Sequence, residues 1–104
     1  MAFAYISEYE NMAQAANGYI VQAGQEPALA VQKLVNTGAS APSASFNART
    51  RFVMVHTDSI MHIKFGSAAG ADPTATNADT RMAAGETRFF GVVEGAKCAV
   101  ILGT

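Results

Sequence analysis

The chain reads as an all-β protein, a single antiparallel β-sandwich or jelly-roll-like domain of seven or eight short strands. Three observations predict it. From Arg51 onward, apolar and polar residues recur in short runs with the two-residue period of strands rather than the period of a helix. Turn signals close these runs: Asp58-Ser59, Ala84-Gly85-Glu86 and Glu94-Gly95. The length, 104 residues, allows one domain, and 50% of them are hydrophobic. A domain of this size buries roughly 65% of its unfolded surface, so part of that apolar surplus is expected to meet other chains.

Taken in order, Phe3 to Tyr9 alternates as a strand with Phe3, Tyr5, Ser7 and Tyr9 on one side. Glu8 to Ala16 is rich in helix formers but too short for a stable helix of its own. Asn17-Gly18 marks a turn, Tyr19 to Gln22 looks extended, and Ala23 to Pro27 breaks the chain. Residues 1–27 therefore read as an irregular N-terminal segment, and 28–104 as the sandwich core of one domain spanning 1–104. Ala28 to Val35 suits a strand, although a short helix fits almost as well. Asn36 to Ser45 is a long turn-rich connection.

Arg51 to Thr57 is a strand with two apolar faces, Phe52/Met54 and Val53/Val55; one should meet the core, the other a second layer or a partner chain. Ile60 to Phe65 turns Met61, Ile63 and Phe65 inward and His62 and Lys64 outward. Gly66 to Asn77 suits an exposed loop; short strands follow at 79–83, 87–93 and 97–102. The expected core is Val53, Val55, Met61, Ile63, Phe65, Phe90, Val92, Val100 and Leu102.

Side-chain chemistry is sparse: 14% of residues are charged, the net charge is −1, and there are two histidines and one cysteine. No basic stripe interleaves with aromatics, so nucleic acid is not an expected partner. No apolar run reaches membrane-spanning length and no basic leader precedes Phe3, so neither membrane insertion nor secretion is expected. Cys98 lies in the apolar run 96–102 and reads as a buried, inert thiol.

His56, Asp58 and His62 form the one metal-capable cluster. A hairpin of 51–57 with 60–65 would set the two histidines across from one another, and a His/His/carboxylate set holds zinc or non-haem iron. The two-histidine spacing of cupins is absent, however, and an aspartate in a turn caps its own backbone. Surface histidines and a turn aspartate are expected, with no metal and no cofactor. Ser59 beside Asp58 is sequence adjacency, not a catalytic triad. Gly66-Ser-Ala-Ala-Gly70 lacks the lysine of a phosphate loop. The expectation is a non-enzyme without catalytic residues. Two readings stay open for Phe3, Tyr5, Tyr9 and Tyr19: core packing, or interface anchors with Glu26 and Pro27 beside them.

The strings Tyr5-Ile-Ser-Glu-Tyr9, Gln25-Glu-Pro27, Thr50-Arg-Phe-Val53, His56-Thr-Asp58, Phe65-Gly66, Arg81-Met-Ala-Ala84 and Phe89-Phe-Gly-Val92 occur here in a distinctive order and spacing. Together, over nearly the whole chain, they resemble a family of small virion or head-associated proteins of tailed bacteriophages. The resemblance implies a structural virion component, a capsid decoration (cement) protein that binds the outside of the head and stabilises it. It implies the major capsid protein and further copies of the chain as partners, synthesis in the host cytoplasm and residence on the phage head. It brings no catalytic residues. The alternatives are a tail or fibre receptor-binding β module, which would carry exposed aromatics in the 66–77 loop, and a cupin-like enzyme, which would bind metal. That loop has no aromatic residue.

Overall fold

The computed structural model describes residues 2–67 and 70–103, with the side chains of 20–22 left aside. Among these residues there are ten strands and no helix: β1 (Ala2–Tyr9), β2 (Met12–Gln14), β3 (Ile20–Gly24), β4 (Ala30–Asn36), β5 (Ala41–Pro42), β6 (Phe52–Thr57), β7 (Met61–Gly66), β8 (Thr80–Met82), β9 (Thr87–Gly91) and β10 (Lys97–Leu102). All pairings are antiparallel. One sheet runs β4-β1-β6-β9, a second β5-β10-β7-β8, and β2-β3 is a separate hairpin. Its turn contains Gly18 with a φ of 87°, the left-handed conformation that glycine adopts without steric cost.

The two four-stranded sheets share one core. Ala4 and Ile6 of β1 and Val53 and Val55 of β6 meet Met61 and Ile63 of β7, Met82 of β8 and Cys98 and Val100 of β10. Phe65, Phe90 and Val92 pack at its margin, with the Phe65 and Phe90 rings 4.9 Å apart. The expected core is found apart from Leu102, which is 43% exposed because it is the last residue of β10, past the edge of the buried cluster.

Two expectations are corrected. The N-terminal 27 residues are not irregular: β1 is an interior strand, paired with β4 on one side and β6 on the other. Its inward face is Ala4, Ile6 and Glu8, a small, an aliphatic and a charged residue, so the eye falls on the outward aromatics instead. The helix formers after Glu8 adopt the end of β1 and then β2, because packing overrides propensity in so short a stretch. The second correction concerns Asp58-Ser59, which does not close a hairpin. Both edges of β6 are already taken by β1 and β9, so the chain crosses to the other sheet and starts β7 there. Of the 66–77 loop, Ala68 and Ala69 lie outside the described residues.

Candidate interaction surface

The crossing separates the metal-capable cluster. His56 stays on the outer face of the first sheet, with Nδ1 2.8 Å from Thr87 Oγ1. Asp58 sits in the connection, its Oδ1 accepting from the Phe3 amide at 2.9 Å. His62 belongs to the other sheet and is buried rather than on the surface; its Nδ1 donates to the Asp79 carbonyl at 3.0 Å. Among the described residues no three His, Cys, Asp or Glu side chains gather as metal ligands. Cys98 is fully buried, and desolvation pushes its thiol up to about 12, against a weaker opposing hydrogen bond from Ser43.

What the fold assembles instead is a surface. Strand register sets the outward residues of the first sheet in rows. One row runs Lys33, Tyr5, His56, Thr87; the next Val31, Ser7, Met54, Phe89; the third begins at Tyr9 and continues through Phe52 to Gly91. Alternation puts all of them on the face away from the core, since their sequence neighbours point inward. Tyr5 is 36% exposed, Val35 41%, Phe89 45% and Val31 65%, apolar side chains spread over one face among the polar Ser7, Lys33 and Thr87. Aromatic contacts knit it: Phe3 lies 6.3 Å from Tyr5, Tyr5 6.3 Å from His56, and Phe52 5.9 Å from Phe89. Its cation, Lys33, holds Nζ 4.0 Å from the Phe3 ring centroid.

The β2-β3 hairpin folds over one end of this face. Its Gly24 lies so close to the Tyr9 ring that any side chain at 24 would collide with it. Tyr9 is therefore only 3% exposed, stacked 5.5 Å from Phe52, and its hydroxyl donates to Glu26 Oε2 at 2.6 Å. Burial first, then the bonded carboxylate, raise the pKa of the Tyr9 phenol and keep it a donor. The groove on the hairpin's other flank has a single titratable lining residue, Glu10, already paired with Arg49 at 2.6 Å.

The structure thus divides the six residues singled out from sequence. Phe3 and Tyr5 stand together on the open face. Tyr9 lies on the same outer face but is buried beneath the hairpin and tied to Glu26, so it is not an exposed anchor. Tyr19 is 74% exposed at the hairpin tip, and Pro27 is exposed in the connection to β4. Val31, Val35, Met54 and Phe89 complete the surface. For Met54 the signal was the second apolar face of strand 51–57; nothing in the sequence singled out Val31, Val35 or Phe89. No protein family, curated protein or solved structure matches this chain.

Proposed function

We propose that this chain is a structural adhesion module, a decoration protein that docks on the outside of a phage head through the outer face of the β4-β1-β6-β9 sheet. The observation that carries this reading is the set of exposed apolar side chains, Tyr5, Val31, Val35 and Phe89, on one face of a four-stranded sheet. Interface energy concentrates in a few such anchors, each worth about 2 kcal/mol or more at a true hot spot. A repeating shell multiplies modest contacts into firm attachment. The resemblance to tailed-phage virion proteins supplies the partner, the major capsid protein.

The test adds purified protein to capsids that lack it. The double variant Tyr5→Ser, Val31→Ser should fold normally, since both residues are exposed, yet lose most binding. Wild-type binding should change little with salt, because the contact is apolar. Unaltered capsid binding by the double variant would move the docking surface elsewhere, and wild-type protein that ignores capsids would end the reading.

A further inference from the structure

We infer that two copies of this chain pair edge to edge through β9, antiparallel about a two-fold axis at Phe90, so that Phe89 of each copy fills the notch at Gly91 of the other. β9 is the last strand of its sheet. Val92 donates to the Arg51 carbonyl at 3.0 Å, and Thr57 donates to the Glu86 carbonyl at 3.2 Å. The even-numbered residues thus turn their main-chain groups to β6. Thr87, Phe89 and Gly91 turn theirs to the open edge. Edges are ordinarily blunted with charge, proline or a bulge. β9 holds one charge, Arg88, on its inner side and already paired with Glu86; the outward Thr87, Phe89 and Gly91 are uncharged, the strand has no proline, and it keeps an unshifted register with β6.

The same strand carries a projection and a recess. Phe89 is 45% exposed. Two residues on, no atom lies within 4 Å of where a Gly91 side chain would begin. Gly91 is not one of the left-handed glycines, Gly18, Gly85 and Gly95, so the backbone does not require glycine there. Its missing side chain opens a cleft of about 270 Å³ lined by Met12, Ala23, Phe52, Phe89, Phe90 and Gly91. The Tyr9, Phe52, Phe89 ring series ends beside this cleft, with room for one more ring.

A projection and a recess two residues apart on one strand are what a two-fold antiparallel pair requires. With the axis at Phe90, each Phe89 faces a Gly91 and the pair exchanges main-chain hydrogen bonds twice over. Thr87 faces Val93, which is 66% exposed, and Arg88 faces Val92. No like charges oppose one another between 87 and 93. Moving the axis to Phe89 would set that exposed ring against itself and leave Thr87 at each recess, whereas the axis at Phe90 opposes two rings already turned to the core side. An unrelated strand would need only the projection, so the self-complementary register favours a second copy.

Strand β9 spans five residues, so the paired strip is about 17 Å long and 10 Å wide, roughly 350 Å² for both copies, against the ~1,200 Å² of a stable free-standing complex. Association in solution is therefore weak, and neighbours held side by side on a repeating surface would form it readily. The inference does not rest on the capsid reading; purified protein decides it.

Sedimentation equilibrium from about 10 µM to 1 mM, the range of weak association, should show wild type shifting from monomer to dimer. Phe89→Ser and Gly91→Val should stay monomeric throughout; the first residue is exposed and the second variant grows into open space, so both fold. Arg88→Cys with Val92→Cys should form covalent dimers under mild oxidation, because opposed non-hydrogen-bonded residues approach to about 4.5 Å. Either single cysteine variant should not. A wild type that is monomeric at the top concentration, dimers that survive Gly91→Val, or equal trapping by the single variants would each overturn the inference.

Discussion

Glu8 is a carboxylate only 1% exposed, on the inward face of an interior strand. It accepts from the Asn47 amide at 2.7 Å, the Thr50 hydroxyl at 2.9 Å and Gln32 Nε2 at 3.1 Å. One side chain thus joins β1, β4 and the connection leading into β6. Removing it strands three donors, and each hydrogen bond to a charged group is worth about 1.5–3 kcal/mol. Glu8→Ala should lower unfolding free energy in urea by about 3 kcal/mol or more, and Glu8→Gln by less; a loss under about 1 kcal/mol would show that the network does not hold the strands. Nothing in the sequence marks Glu8 as interior, because its donors come from positions 32, 47 and 50 and meet only in the fold. Glu86 is the opposite case, a surface acid. The Ala83 amide first, then Arg88, hold its carboxyl below the ordinary carboxylate value. A depressed folded value contributes stability above the unfolded carboxylate pKa and loses it as pH falls through the folded one. The wild-type melting temperature should therefore drop more steeply on acidification than that of Glu86→Gln; parallel curves would exclude Glu86 as a contributor.

At the scale of elements, the hairpin depends on Gly24. A methyl group there must displace the Tyr9 ring or lift β3. Gly24→Ala should cost about 1–3 kcal/mol, the range for forcing extra volume into a packed site, and should bring the phenol titration of Tyr9 back down as its burial is relieved. An unchanged titration would mean the hairpin adapts without uncovering the ring. Strand positions from 51 to 102 were legible from alternation and turn signals, and so was the inward set Val53, Val55, Met61 and Ile63. The pairing was not. A two-residue turn serves a hairpin and a crossing between sheets equally well, and what decides at Asp58-Ser59 is that β6 already has two neighbours. The same loss of pairing information explains the surface: the alternation of β1 set Phe3 and Tyr5 on one side without saying whether it faced the core, and Val31 and Phe89 join them only once β4 and β9 flank β1 and β6.

The whole molecule measures 46 × 31 × 21 Å. Its smallest dimension fits two sheets stacked about 10 Å apart with side chains on their outer faces. The order β4-β1-β6-β9 also governs the timing of folding. β1 leaves the ribosome first, yet its two neighbours come later, and Ala4 must wait for Thr57. The second sheet waits longer still, because its interior strand β10 spans Lys97–Leu102, near the end of the chain. Contacts this distant in sequence raise the entropy of closure before any pairing rewards it, which places refolding in milliseconds to seconds rather than microseconds. Stopped-flow refolding should show that slow phase, and a chain ended after Glu94 should show no cooperative unfolding. During synthesis the aromatic first strand can pair with β4 and β6 once residue 57 has emerged, but the inner face of that half-built sheet stays uncovered, open to mispacking, until β10 completes the opposing sheet.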